Sequence, residues 1–407
     1  MSSFIFTPDQ EKTIQEAIDW YKYSSKQTFE IAGEAGTGKS VVLNEIVRRL
    51  NLSPNEYMPM AFTGQAAIIM RLKGFQYAKS IHSSLYEYIE ELCDPIGFES
   101  IDTRFNRPKV YKIFRPKPRY AINDTVKMFI IDEAYMTPKE MRRVIDSFDR
   151  KVLVAGDDKQ LPPVVGEPAY LTGEDIHRLT TLMRQEEDNP IVYIAHRARQ
   201  GLPIHCGMYG NRVLVIEDKD LNDRLLSLPQ AIICGTNYTR DRLNQYIRTN
   251  LKHIYTSLPA YGERVICRDN NWQIERDNIS LANGLVGTVV NQPGVGGFNG
   301  QTFDMDFVPD LTGSVFDGLE VDYKYFTASY EERKVMKNLE YKVGERFEFA
   351  YALTTYLCQG AEYHTPMYIE EFIRPNVQNQ LNYSGITRAK QNLIYVKKSK
   401  QFYSLFS

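Results

Sequence analysis

Gly33-Glu34-Ala35-Gly36-Thr37-Gly38-Lys39-Ser40 has the spacing of a phosphate loop: a glycine, four residues, then glycine, lysine and a hydroxyl side chain. Its flanks agree. Phe29, Ile31 and Ala32 read as a short buried strand, and Val42, Leu43, Ile46, Val47 and Leu50 recur at helical spacing. Strand, loop and helix follow in the order that lets a glycine-rich backbone turn successive N–H groups, and the positive end of a helix, toward phosphate oxygens. Gly33, Ala35, Gly36, Thr37 and Gly38 make the cradle and Lys39 is placed to reach the β and γ phosphates. Ser40 offers a hydroxyl to the Mg2+ that accompanies a nucleotide, and ATP is the expected ligand.

The rest of the chain bounds this reading. At 407 residues, two or more domains are expected, and 43% hydrophobic residues suffice for proper cores. A formal net charge of −2 gives no general argument for a polyanionic partner, so any such site must be local. Cys93, Cys206, Cys234, Cys267 and Cys358 are scattered without zinc or disulfide spacing and read as free thiols of a reducing compartment. No apolar run suggests a signal sequence or membrane span; a soluble, cytoplasmic protein is expected.

Three further stretches carry chemistry. Val126 to Ile131 reads as a strand buried on both faces and ends in Asp132-Glu133, at the edge where open parallel sheets bind ligands. Asp132 is suited to hold Mg2+, and Glu133 to polarise the water that attacks the γ phosphate. A strand over Lys151 to Ala155 leads to Gln160, a polar side chain placed to report on that phosphate. From 104 to 120, Arg104, Arg107, Lys109, Lys112, Arg115, Lys117 and Arg119 interleave with Phe105, Tyr111, Phe114 and Tyr120. Such stretches either hold single-stranded nucleic acid or form a solvated hairpin; the prolines at 108, 116 and 118 keep this one out of a central sheet.

GEAGTGKS (33–40), IIDEAY (130–135), GDDKQLPPV (156–164), LCQGAE (357–362) and YSGITRAK (383–390) together resemble motifs I, II, III, V and VI of superfamily 1 helicases, in order. AFTGQAA (61–67) and SIHSSLY (80–86) are most similar to the RecD and Dda branch, the latter from T-even phages. The resemblance runs from Gln10 to Arg388 and implies two RecA-like P-loop domains with parallel sheets that clamp ATP. On it, Gln10 would read adenine, Arg184 and Arg388 would reach the γ phosphate, and Gln359, Gly360 and Glu362 would link nucleotide to DNA. Thr63, His82 and Thr354 fall where the family touches DNA. Tyr356 and Leu357 stand where the family commonly has histidine and lysine, which removes a phosphate-binding cation; Tyr356 either stacks on a base or packs.

The expected α/β architecture is a first RecA-like domain over 1–182, with a β-hairpin insertion at 86–125 placed like the family's strand-separating pin. The second spans 183–407, with an SH3-like β-barrel insertion at about 285–345, where Val286, Thr288 and Val290, then Phe303, Met305 and Phe307, alternate. Phe114 is the expected pin tip, with Phe105 and Tyr111 behind it. The resemblance implies a monomeric helicase acting on single-stranded and duplex DNA, moving 5′ to 3′, beside replication or recombination proteins. An RNA- or DNA-stimulated translocase without strand separation, and a nucleotide-gated binding or loading protein, remain open at this point.

Overall fold

Thr28–Gly33 is buried over most of its length because parallel strands flank it on both sides and helices pack on it. In the computed structural model, which describes residues 5–92, 101–102, 107–108, 110–182, 189–293, 300–337, 343–373, 375 and 377–398, this strand belongs to a six-stranded parallel sheet. The spatial order is Ile176–Leu179, Thr28–Gly33, Lys151–Gly156, Met128–Asp132, Tyr57–Ala61, Lys79–Ser80. Met128, Phe129, Ile130 and Ile131 are all at 0% exposure, each contributing roughly 1.5–3 kcal/mol of burial. The helices Pro8–Tyr23 and Lys39–Arg49 bring Ile14, Ile18, Val42 and Ile46 onto Phe29, Ile31 and Leu153.

Thr7 caps Pro8–Tyr23: its hydroxyl accepts from the Gln10 N–H while the Gln10 side chain accepts from the Thr7 N–H, a capping box with Pro8 in the first turn.

A second six-stranded sheet runs Gly207–Tyr209, Val213–Glu217, Leu393–Lys397, Met367–Ile369, Ile232–Cys234, Ala352–Thr354. Only its first pair is antiparallel. Both sheets lie in one compact unit made of Met1–Ile81, Pro118–Arg242 and Ala352–Ser407.

The second unit is His82–Lys117 with Leu243–Tyr351. Its main sheet is antiparallel, in the order Phe316–Asp322, Thr302–Pro309, Val286–Val289, Arg264–Cys267, Phe347–Phe349, with a bridge from Val321 to Glu345. Phe303, Met305, Phe307, Phe316 and Phe347 fill its core, with the Phe307 and Phe347 rings 5.2 Å apart. The sheet thus takes in Arg264–Cys267 and Phe347–Phe349, outside the expected 285–345.

The hairpin pairs Tyr86–Leu92 with Val110–Pro116. Its register corrects the expectation for Phe114, which stands opposite Tyr88, two steps from the Tyr86–Pro116 pair and four from the Leu92–Val110 pair at the other end. Phe114 is therefore at the root of the hairpin; its ring lies 5.2 Å from that of Trp272. Register also sets Glu87 opposite Arg115 and Glu90 opposite Lys112. Phe105 lies outside the described residues. Among those described, Cys206, Cys234, Cys267 and Cys358 are free thiols, and no helix is long and apolar enough to cross a membrane.

Candidate nucleotide site

The carboxyl ends of the first sheet carry Gly33–Ser40, Asp132-Glu133 and the turn Gly156 to Gln160 to one edge. Gly36 and Gly38 take left-handed backbone, φ 84° and 79°, and Gly38 caps the helix Lys39–Arg49, turning its first N–H groups into the loop. Lys39 Nζ donates to the carbonyls of Gly33 (2.7 Å) and Glu34 (3.1 Å), which folds the side chain back over the cradle. Thr37 is buried and closes the loop by donating to the Glu34 carbonyl at 2.8 Å.

Glu133 adopts left-handed backbone at φ 54°, a strained position for a residue with a side chain, and its N–H donates to Asp132 Oδ1 at 2.9 Å. Burial, followed by repulsion from Glu133, pushes the Asp132 carboxyl above its usual range, against the pull of Lys73 and Lys39. Asp157 is likewise raised by burial, against Lys39 and a hydrogen bond from Tyr383.

The second sheet supplies the other wall. Arg388, 4% exposed, donates to Gln160 Oε1 at 3.1 Å and to the carbonyls of Ser384 and Ala361, and its guanidinium lies 3.9 Å from Glu133. Tyr383 donates to Asp157 at 2.6 Å and accepts from the Ala35 N–H at 3.2 Å, so one hydroxyl spans both sheets at the loop. Gln359 donates to the Leu161 carbonyl at 3.0 Å. Glu34 forms an ion pair with Arg199, and one of its oxygens lies 2.7 Å from His196 Nε2, off the line of a hydrogen bond.

A cavity of about 530 Å³ gathers Ala35, Gly36, Gly38, Lys39, Ser40, Asp132, Glu133, Gln160, Gly360, Glu362 and Arg388. Gly33 and Thr37 line a second one of about 450 Å³ on the other flank of the loop. Gln10 lines neither: it is 1% exposed, its amide shared between the capping box and the Thr37 carbonyl at 2.9 Å. It thus braces the loop, and reading adenine would require it to release a partner. Arg184 lies outside the described residues.

The residues expected at DNA are spread out. Thr63 caps the helix Gly64–Leu72 by accepting from the Ala66 N–H at 3.1 Å, and Thr354 is buried at a strand end. His82, in the second unit, has its ring 5.3 Å from Tyr86, and burial lowers its pKa so that it stays neutral at physiological pH. Tyr356 is half-buried and Tyr111 lies on the hairpin strand Val110–Pro116.

The donors suit a hard divalent cation: a hydroxyl, Ser40, and a half-buried carboxylate, Asp132, both lining the cavity. Among the described residues no three His, Cys, Asp or Glu side chains cluster as metal ligands.

Sequence reasoning passed over Glu34, Lys73, His196, Arg199 and Tyr383. Glu34 and Tyr383 stand inside quoted motifs, where only the fixed positions were assigned roles. The other three carry no local pattern.

A family model described as an AAA domain matches residues 6–218, more than half of the 407. The chain belongs to that family, and its motifs and fold make it a superfamily 1 helicase-type ATPase. Its fold is similar to that of a Pif1 helicase solved for DNA unwinding at forked duplex DNA by two coordinating Pif1 helicases (17% identity, TM-score 0.58, 99% of this chain and 96% of that one). It is also similar to Pif1 of Bacteroides in complex with ADP-AlF3 and single-stranded DNA (16%, 0.56, 97% and 92%) and to Pif1 of Candida albicans (15%, 0.52, 99% and 98%). The uncharacterized protein R530 of Acanthamoeba polyphaga mimivirus is 24% identical over 175 residues, 39% of this chain and 34% of that protein. The chain thus spans about a third of the length of this curated relative.

Proposed function

We propose that this protein hydrolyses ATP to move along single-stranded DNA, 5′ to 3′, and separates duplex DNA ahead of it. The observation that carries the reading is Arg388, which reaches from the second sheet to Gln160 and Glu133 at the edge of the first. Two sheets that share one nucleotide cleft can convert its filling and emptying into relative movement. Each sheet with its helices is taken as a RecA-like motor domain, 1–182 and 183–407, and the antiparallel sheet of the second unit as an SH3-like insertion.

In this reading the loop N–H groups and Lys39 hold the phosphates, while Glu133 takes the proton of the attacking water. Arg388, with Arg184 as its expected partner, offsets charge that grows in the transition state. Mg2+, held by Ser40 and Asp132, would neutralise the β and γ oxygens. The Pif1 likenesses support DNA as the track, and the basic aromatic hairpin is the candidate for strand separation. Action as a monomer, beside replication or recombination proteins, belongs to the same proposal.

The test is ATP turnover with and without single-stranded DNA, together with unwinding of duplexes bearing a 5′ or a 3′ tail. Turnover that rises with DNA, falls with salt, and unwinds only the 5′-tailed duplex is expected. Turnover indifferent to DNA would overturn the reading, and preference for the 3′ tail would overturn the polarity.

A further inference from the structure

Lys73 is a cation of the nucleotide cavity that the motifs do not include. It stands as the C-cap of the helix Gly64–Leu72, and the phosphate-loop helix fixes it in place: the Asn44 amide donates to the Lys73 carbonyl at 2.7 Å and to the Ser40 carbonyl at 2.8 Å. The turn that carries Lys73 is thereby tied to the residue assigned to Mg2+. From it, Lys73 Nζ lies 2.7 Å from one oxygen of Glu362, and Lys390 Nζ lies 3.6 Å from the other.

Asp132, Glu133 and Glu362 line the same cavity. With Glu34, which pairs with Arg199, four carboxylates face a site that must accept a polyphosphate, and like charges repel. An ion pair whose side chains keep 38% and 30% exposure stabilises a fold little, so folding alone is a weak reason for this placement. We propose that Lys73 is a further positioning residue of the nucleotide site: it holds Glu362 against the ligand and offsets the acidic cluster, so that a nucleoside di- or triphosphate can bind beside Asp132 and Glu133. The inference rests on the ATP reading of the cleft.

The experiment uses the full chain with saturating single-stranded DNA and compares Lys73→Met, Lys73→Arg, the charge swap Lys73→Glu with Glu362→Lys, and Lys39→Ala. Readouts are KM and kcat for ATP, binding of a fluorescent ADP analogue, and Tm. Lys73→Met is expected to raise KM and weaken ADP binding about tenfold, with kcat changed less than about threefold. Lys73→Arg should restore most of the affinity. The swap, which rebuilds the ion pair but not the charge pattern, should not. Unchanged KM in Lys73→Met, or full recovery in the swap, would reduce the pair to a staple and overturn the inference. Retained turnover in Lys39→Ala would instead remove the ATP site itself, which separates the two failures.

Discussion

Replacing Gly360 by alanine probes how closely the two sheets approach at the cleft. Gly360 has φ +75°, and a Cβ built on it would lie 2.5 Å from Ala66 Cβ and 3.2 Å from Ala66 Cα. Two costs arise. Left-handed backbone costs a residue with a side chain about 1–2 kcal/mol, and forcing a methyl into a filled space costs about 1–3 kcal/mol. The obstacle is the body of the helix Gly64–Leu72 rather than a flexible tip, so the loop holding Gly360 must move instead. That loop carries the Gln359 bond to Leu161 and the Ala361 carbonyl that receives Arg388. Gly360→Ala is therefore expected to destabilise the protein by about 2–5 kcal/mol in urea denaturation and to slow ATP turnover at least about tenfold. Adding Ala66→Gly removes the clashing methyl while leaving the φ strain and adding about 1 kcal/mol of helix cost. The pair should show a favourable coupling of about 1–3 kcal/mol in a double-mutant cycle. Wild-type stability for Gly360→Ala, or strict additivity in the cycle, would refute the steric argument.

Glu133→Gln should bind an ATP analogue normally yet hydrolyse at least about a hundredfold more slowly; lost binding would point to a structural role. Glu133→Gly should be inactive but more stable by about 1 kcal/mol in the same denaturation assay, because glycine relieves the left-handed strain. Arg388→Ala should lower kcat more than nucleotide affinity, since its charge is placed to act on the transition state, and normal turnover would contradict the shared cleft. Although burial pushes Asp9 up, hydrogen bonds from Thr7 and from the Thr181 and Thr180 N–H groups hold its pKa at about 2. Its contribution is thus present above the ordinary carboxylate range and is lost as pH falls through about 2; Asp9→Asn should cost about 1 kcal/mol at neutral pH and flatten the acid limb of the stability profile.

The phosphate loop, the acidic pair and the motif arginine could be read in the sequence because each is a local pattern with fixed spacing. Strand ends bring the first two to one edge, and the chain after the helix Gln378–Ile386 brings Arg388 to it. Lys73 could not be read that way: its place depends on Asn44 gripping a turn 29 residues away, and its partner Glu362 comes from the other sheet. Gln10 was legible as a helix-start residue, but its hold on Thr37 depends on how that helix packs. Phe114 was misjudged because alternation marks a strand without giving its register; the acidic partner strand, 86–92, decides which end is the root. The strands Val286–Val289 and Thr302–Pro309 were legible from their alternation, while Arg264–Cys267 and Phe347–Phe349 are four- and three-residue strands too short to declare a period.

The second unit is assembled from pieces far apart in the chain, which matters during synthesis. All six strands of the first parallel sheet lie between Thr28 and Leu179, so that sheet can assemble as soon as it leaves the ribosome. The piece His82–Lys117 must wait for Leu243–Tyr351, and 351 − 117 gives 234 further residues, or about 12–47 s at about 5–20 residues per second. A two-stranded hairpin is marginal alone, and Phe114 has no Trp272 to meet until residue 272 has emerged. For that interval an unfinished aromatic segment hangs from a finished sheet, and a chaperone that shields it should raise the yield of folded chains.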